Sequence, residues 1–169
     1  MTTEAIIDQL HKNREAFKAL LSGKTAEEYT WRPEPGKWNL LEIVCHLVDE
    51  ECEDFRARVQ HTLENPDAAM KPVTPIPWVS ERNYAAQNYN QMLHSFLSER
   101  SQSVAWLNTL HNVNWDSAYQ HRKLGPMSAR LFLVNWLAHD HLHIRQIIRY
   151  NYHYLKEKTA IDLQYAGSW

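Results

Sequence analysis

The amino-acid sequence predicts an all-α protein that folds as a four-helix bundle with a long proline-rich crossover between its second and third helices. The chain of 169 residues holds only four glycines, long stretches lack proline, and apolar residues recur with helical spacing in four segments. Helices of ~20–27 residues are about 30–40 Å long, which is the format of a four-helix bundle. A chain of 20.0 kDa suits one ordinary domain, so we expect residues 1–169 to form a single domain.

The first predicted helix begins at a cap formed by Thr2 or Thr3 and ends near Leu21. Gly23 follows that end, and glycine readily adopts the left-handed conformation that closes helices. Residues 25–37 contain two prolines and a glycine, so we expect them to form a connection.

The second predicted helix starts at Leu40 and continues to about Leu63. Asn39 is a good residue to cap it, and Glu42 stands in the third helical position, where a carboxylate stabilises a helix start. The next segment, residues 64–79, carries four prolines within twelve positions and is predicted as a long loop that crosses the bundle.

The third predicted helix is capped by Ser80 and runs from Glu81 to about Leu107. The connection that follows, residues 108–127, contains a Gly-Pro pair and is expected to include a short strand-like piece. The segment therefore ends the helix and leads to the last element of the bundle.

The fourth predicted helix is capped by Ser128 and continues to about Tyr152. The tail, residues 156–169, is expected to be extended. No internal repeat or low-complexity tract interrupts this organisation.

Composition excludes several classes of function. The formal net charge is −2, whereas general nucleic-acid binders carry a marked basic excess. Mean hydropathy is −0.58 and no apolar run approaches the ~18 residues of a membrane span. Cys45 and Cys52 fall seven residues apart in one helical pattern, ~10 Å along the axis and too far for a disulfide. We therefore expect a cytoplasmic protein that acts neither on nucleic acid nor in a membrane.

A histidine pair in the fourth helix is the strongest chemical signal in the sequence. His139 and His143 are four residues apart, so they share one helical face and can meet one metal ion. Gln146 lies on the same face one turn further on, whereas His141 points the other way. The pair alone is also compatible with two structural histidines whose nitrogens are hydrogen-bonded.

His46 in the second helix is the candidate third ligand, since catalytic metal sites use three protein ligands and an open position. On a helical wheel it lies opposite the apolar face, together with Glu42, Glu50 and Glu53. Spacing favours a solvated acidic face carrying one histidine. The alternative places His46 at the mouth of a cleft, with a carboxylate beside it as base or partner.

Three motifs resemble the DinB/YfiT-like superfamily. The run WNLLEIVCHL at residues 38–47 resembles its W-S-x-x-E-I-L-x-H-L signature, although Asn39 stands where Ser or Thr is commoner. The fourth-helix histidine pair with its following glutamine resembles the second half of that signature, and the ending QYAGSW resembles the tail of many members. The resemblance implies a four-helix bundle with a divalent metal ion held by His46, His139 and His143. That ion is zinc or nickel in most members and manganese or iron in some.

The resemblance also implies an activity, because characterised relatives include bacillithiol S-transferases and a mycothiol-dependent maleylpyruvate isomerase. The leading hypothesis is an enzyme that transfers a low-molecular-weight thiol onto a small electrophile and forms a homodimer. Glu50 is the candidate proton acceptor or partner of His46, and Gln146 can donate to a metal-bound ligand or to substrate. Two alternatives stand beside it: a metal-dependent hydrolase, and a non-catalytic stress-related binding protein in which the metal is structural.

Overall fold

The structure is a computed structural model that describes residues 1–73 and 75–167, and it confirms the predicted all-α four-helix bundle. Seven helices and one hairpin make up the regular structure of the described residues. In chain order they are α1 (Thr3–Leu21), α2 (Ala26–Thr30), α3 (Leu40–Asp49), a π-helical segment (Glu50–Phe55), α4 (Arg56–Glu64), α5 (Pro75–Glu81), α6 (Tyr89–Leu107), β1 (Ala118–His121), β2 (Gly125–Ser128) and α7 (Ala129–Thr159). Two short 3₁₀ turns lie at Tyr84–Ala86 and Gln164–Ala166. None of these helices is long and apolar enough to span a membrane.

Four long helical bodies form the bundle: α1, the continuous α3–π–α4 helix, α6 and α7. Each of α1 and α3–π–α4 packs against both α6 and α7. The second body runs parallel to α6, because Glu51 pairs with Arg100 and Arg56 contacts Ser103 further along both helices. Parallel neighbours need a connection that returns along the bundle, and residues 65–88 provide it. The proline-rich crossover predicted from the sequence is therefore present.

The crossover and the third long helix differ in detail from the prediction. Residues 75–81 form α5, and α6 begins at Tyr89 instead of Glu81. Asn88 caps α6 through the backbone N–H of Gln91. The Ser80 hydroxyl, predicted as the cap, instead donates to the carbonyl of Pro77 within α5. Thr74, in the middle of the crossover, lies outside the described residues.

The other element boundaries follow the prediction with three additions. The connection 25–37 contains α2, which Thr25 and Glu28 begin with a reciprocal capping box. The strand-like piece in 108–127 is confirmed as the antiparallel β1–β2 hairpin, in which Tyr119 faces Met127. The fourth predicted helix, α7, extends seven residues beyond Tyr152, and only part of the tail is extended, since a 3₁₀ turn interrupts it. Ser168 and Trp169 lie outside the described residues.

The core consists of two apolar clusters at different levels of the bundle. One contains Phe17, Ile43 and Phe96, and the other contains Leu10 and Trp136. A layer of buried polar side chains lies at the level between them, where α1, the second helix, α6 and α7 meet. The predicted metal ligands lie beside this layer.

Candidate metal centre

Three histidines from two helices come together at one point in the bundle. The Nε2 atom of His139 lies 3.0 Å from Nε2 of His143 and 3.4 Å from Nε2 of His46. His139 and His143 are neighbours through their spacing along α7, as predicted, whereas His46 reaches them from α3. Among the described residues, these three form the one group of histidine, cysteine or acidic side chains that can hold a metal ion.

The spacing of these nitrogens fits a single first-row metal ion. Zinc binds histidine nitrogens at 2.0–2.1 Å, so two nitrogens of a tetrahedral site are about 3.3 Å apart. The three Nε2 atoms face one another at 3.0 and 3.4 Å. A neutral imidazole has one donor and one acceptor nitrogen, so direct hydrogen bonds among these three atoms cannot satisfy all of them. A cation at their centre satisfies all three acceptors, so the donor set fits the ion that the sequence predicts.

Burial keeps the three imidazoles neutral, which is the form that binds metal. Desolvation lowers the pKa of His46 to about 3, with a further contribution from His143. Desolvation also lowers the pKa of His139 to about 2, and it lowers that of His143. Protons therefore compete weakly for these nitrogens at neutral pH.

Gln146 fixes the orientation of the His143 ring. Its side-chain carbonyl Oε1 lies 2.8 Å from Nδ1 of His143 and can only accept, so the Nδ1–H of His143 donates to it. The ring's Nε2 then carries the lone pair that faces the other two histidines. Gln146 therefore lies beside the three histidines and is hydrogen-bonded to His143.

Glu50 lies behind the His46 ring, one helical turn further along the second helix. Its Oε1 is 4.0 Å from Nδ1 of His46, and both atoms are buried without a hydrogen-bond partner. Desolvation, together with Asp54, raises the pKa of Glu50 to about 8. Glu50 faces the side of the ring away from Nε2, so it is placed to orient His46.

The expectation of a solvated face around His46 is wrong. The side chains of Glu42, His46, Glu50 and Glu51 are all buried, and His46 is 6% exposed. The indole of Trp38 lies 4.8 Å from the His46 ring and covers its outer side. Glu42 is stabilised in this setting by the Arg32 guanidinium, which donates to both of its carboxylate oxygens.

The π-helical segment explains how consecutive acidic residues both turn inward. A π turn holds more residues than an α turn, so Glu50 reaches toward His46 while Glu51 enters the polar layer. There Glu51 accepts two hydrogen bonds from Arg100 and one from the Trp136 indole. Single π turns inside α-helices are frequent at functional sites.

Sequence analysis missed the polar layer beside the histidines. Arg100 is fully buried and donates to both oxygens of Asp140 as well as to Glu51, and Asn13 donates to Asp140. Burial lowers the pKa of Arg100, but the two carboxylates more than offset this and raise it. A signal was available, because Arg100 interrupts the apolar stripe of α6 and Asp140 interrupts that of α7.

Two clefts lie near the histidines. The first, of about 440 Å³, is lined by Pro33, Glu34, Lys37, Trp38, Gln146, Arg149, Tyr150 and His153. The second, of about 610 Å³, reaches His139 and is lined largely by apolar side chains, among them Phe55, Met127 and Leu142. Trp38 lines the first cleft, whereas Trp78, Tyr84 and Trp136 are buried in the core.

Neither cysteine is prepared for nucleophilic chemistry. Burial raises the pKa of Cys45 to about 12, helped by Asp49, and Cys45 is fully buried as a small apolar residue. Burial and a hydrogen bond with Glu99 raise the pKa of Cys52 to about 12. A thiol in this range is protonated at neutral pH, so neither side chain supplies a thiolate.

Comparisons with known proteins identify a family for the chain and a solved structure with a similar fold. A sequence model of the DinB superfamily matches residues 9–147. Among solved structures, the chain is similar to YfiT from Bacillus subtilis, reported as a probable metal-dependent hydrolase with an unusual four-helix bundle topology. That similarity has a TM-score of 0.77 at 17% sequence identity and covers 95% of this chain and 89% of that chain. No curated protein matches the chain.

Proposed function

The chain belongs to the DinB superfamily, and from this premise we propose that it is a divalent-metal-dependent enzyme that activates a small nucleophile. The convergence of three neutral imidazole nitrogens, with no carboxylate among them, carries the proposal. His46, His139 and His143 would hold the ion, and the neighbouring clefts give substrates access to it.

The donor set favours zinc or nickel over manganese. Neutral imidazole is a good ligand for zinc, nickel, copper and iron, whereas manganese and magnesium prefer carboxylates and water. Protein ligands on one side of the ion leave the remaining positions for substrate. When bound, an ion with three neutral ligands keeps its full +2 charge and lowers the pKa of a coordinated thiol or water into the neutral range.

Residues of the chain orient the histidine ligands, and the nucleophile is a bound thiol or water and not a side chain. Gln146 holds the His143 ring through its Nδ1–H, and Glu50 faces the Nδ1 of His46. A carboxylate or amide behind a ligating histidine fixes its tautomer and raises its basicity. We assign Glu50 to this positioning role, because its carboxylate lies on the far side of the ring from the shared centre. Cys45 and Cys52 stay protonated and do not compete as nucleophiles.

Thiol transfer is the reaction that we propose first. The sulfur of a low-molecular-weight thiol attacks an electrophilic carbon, the S–C bond forms, and the leaving group departs with its electron pair. The thiol proton passes to solvent through the open cleft. The apolar cleft beside His139, with Phe55 and Leu142 in its walls, suits a small apolar electrophile.

Hydrolysis is the second candidate, because the similar fold of YfiT is reported as that of a probable metal-dependent hydrolase. The same three histidines serve that reaction when water takes the place of the thiol and an ester or amide takes the place of the electrophile. The residue roles proposed for Gln146 and Glu50 are the same in both reactions.

Metal content of the protein, purified without an affinity tag or chelator, tests the metal site first. We expect one ion per chain in the wild type, none in the His139→Ala/His143→Ala double variant, and a marked loss of affinity in His46→Ala. His141→Ala, an exposed histidine on the same helix, is the matched control and should keep its ion. Circular dichroism should show all four proteins to be helical. Unchanged metal in the double variant would refute the site.

Activity of the metal-loaded protein tests the reaction. It should consume 1-chloro-2,4-dinitrobenzene or an epoxide with added thiol faster than the chelated protein, and the His46→Ala variant should lose this advantage. Cleavage of p-nitrophenyl acetate without thiol, sensitive to the same chelation, would replace thiol transfer with hydrolysis. A bound ion with neither activity would identify a structural metal and refute the enzymatic proposal.

A further inference from the structure

The cleft beside Trp38 carries an excess of positive charge. Lys37 enters it from the segment before α3, and Arg149 enters it from α7, whereas Glu34 is the one acidic residue in its lining. In the described part of the chain, no carboxylate pairs with the Lys37 ammonium or the Arg149 guanidinium. The Nε of Arg149 instead donates to the ring of His153 at 3.3 Å, which leaves its terminal nitrogens free for a ligand.

The cleft lies beside the candidate metal centre, to which two of its lining residues connect it. Gln146 lines it and contacts His143, and Trp38 lines it and covers the ring of His46. Arg149 follows His143 by six residues, which is ~9 Å along the helix axis. A molecule held between the two cationic side chains therefore reaches the histidines only if it extends past Gln146 and Trp38, which separate the cleft from them.

Hydrogen bonds hold the walls of the cleft in place. The Arg32 guanidinium donates to the carbonyl of Lys37 and to Glu42, which fixes the loop against the start of α3. On the opposite wall, the Tyr150 hydroxyl donates to the carbonyl of Glu28 and lies against that of Trp31. A preformed cleft of about 440 Å³ is within the ordinary size range of small-molecule sites.

We propose that this cationic cleft, defined by its eight lining residues, binds the anionic end of the substrate, with Lys37 and Arg149 pairing to a carboxylate or phosphate group. The inference rests on the proposed function, which places the reacting end of the substrate at the histidines. It adds that the other end of the substrate is negatively charged. Lys37 and Arg149 then determine specificity, and Glu34 limits how much negative charge is accepted. The aromatic faces of Trp38 and Tyr150 pack against the body of the molecule.

Binding of matched probes to the zinc-loaded protein, followed by calorimetry, tests this inference. One pair is phosphopantetheine and pantetheine, which differ only by a phosphate, and the other is glutathione and its diethyl ester, in which both carboxylates are masked. We expect the charged member of at least one pair to bind about tenfold more tightly than its neutral or masked partner, and to weaken when salt is raised. The pair that shows the difference identifies phosphate or carboxylate as the preferred group.

Variants then assign the effect to the cleft. The Lys37→Met/Arg149→Met double variant should lose most of the tenfold preference, and Glu34→Gln should increase it. The Lys18→Met/Lys156→Met double variant removes two exposed cations outside both clefts and should behave as the wild type. Equal binding of charged and neutral probes by the wild type, or an unchanged preference in Lys37→Met/Arg149→Met, would overturn the inference.

The S-methyl derivative of whichever charged thiol shows the difference separates this inference from the proposed function, because its sulfur carries no ionisable proton. It should bind the metal-free wild type more tightly than the Lys37→Met/Arg149→Met variant. That result, in a protein that shows no metal-dependent activity, would refute the proposed function and retain the anion site. Metal-dependent activity without this difference would refute the anion site and retain the function.

Discussion

Arg100 shows how much of this protein depends on single buried side chains. It joins Glu51 of the second helix to Asp140 of α7, and it is 1% exposed. These two carboxylates follow directly after Glu50 and His139, so the ion pairs hold the chain segments that carry two residues of the candidate metal centre. Buried charges are tolerated only when fully paired, and here both carboxylates accept two hydrogen bonds from the guanidinium.

Removal of the Arg100 guanidinium should lower the free energy of unfolding far more than removal of an exposed guanidinium. Arg100→Met leaves Glu51 and Asp140 buried without their partner, so we expect a loss of ~3–5 kcal/mol in the free energy of unfolding. Arg130→Met removes an exposed pair with Asp116, whose side chains are 45% and 84% exposed, and should cost about 1 kcal/mol or less. Urea denaturation of both variants measures the difference. Similar losses of unfolding free energy in the two variants would show that the buried ion pairs stabilise the fold no more than the exposed pair.

Gln146 should act on metal affinity more than on stability. Gln146→Leu removes the acceptor for the Nδ1–H of His143, so we expect zinc affinity to fall by about 10- to 100-fold. Gln146→Glu keeps an acceptor and should retain most of the affinity. Competition with a chromophoric chelator provides the measurement, and Gln102→Leu, on the exposed face of α6, is the control. Equal affinity in the leucine and glutamate variants would exclude the orienting role.

At the scale of elements, the second long helix decides where His46 lies. Its start is fixed by a reciprocal capping box, in which Asn39 accepts from the backbone of Glu42 and Glu42 accepts from the backbone of Asn39. Its middle contains the π turn, which changes the rotation of everything that follows by comparison with a regular α-helix. The cap determines the position of His46 along the bundle axis. The π turn determines which acidic side chains of this helix point into the bundle.

Loss of the Asn39 cap should weaken the whole bundle. Asn39→Ala leaves the backbone N–H of Glu42 without its acceptor, and we expect a loss of ~1 kcal/mol in the free energy of unfolding. Asn39→Ser, which restores the family's commoner residue and keeps an acceptor, should cost a few tenths of a kcal/mol at most. Thermal and urea unfolding of the two variants measure these losses. An alanine variant as stable as the serine variant would contradict the capping argument.

For the whole molecule, burial of the histidine cluster couples folding to pH. His46 and His139 stay neutral in the folded state, since burial holds their pKa at about 3 and about 2. In the unfolded chain each takes up a proton below pH ~6.5. Between those values the unfolded state binds more protons, so the metal-free protein loses stability as the pH falls. Glu50, whose pKa is raised to about 8, acts in the opposite direction above pH ~4.5.

The contribution of the histidines can be isolated by comparison of variants without metal. From pH 7 to pH 5, the metal-free wild type should lose about 4 kcal/mol, or ~2 kcal/mol for each buried imidazole, relative to a His46→Gln/His139→Gln variant, which has no imidazole to keep neutral at those positions. His141→Gln removes an exposed histidine and should follow the wild type. Urea midpoints at the two pH values provide the test. Parallel pH profiles for the wild type and the double variant would show that burial does not depress these pKa values.

The sequence by itself determined the features that depend on neighbours along the chain. The four long helices, the caps at Asn39 and Ser128, and the shared face of His139, His143 and Gln146 all follow from local spacing. Local signals were ambiguous where two residues had the same chemistry. Ser80 and Asn88 are both good caps, and only packing of the crossover on α3 selects the second of them as the start of α6.

Tertiary structure alone decided the environment of His46 and the partners of Arg100. A helical wheel assumes one buried face and a constant number of residues per turn, whereas α3 is covered on several sides and continues into a π turn. The wheel therefore placed His46 toward solvent, although the family resemblance named it as a ligand. Burial and ion pairing depend on which distant segments meet, and spacing along the chain does not specify this. The three histidines are therefore brought together only in the folded chain, where His46 of α3 meets His139 and His143 of α7.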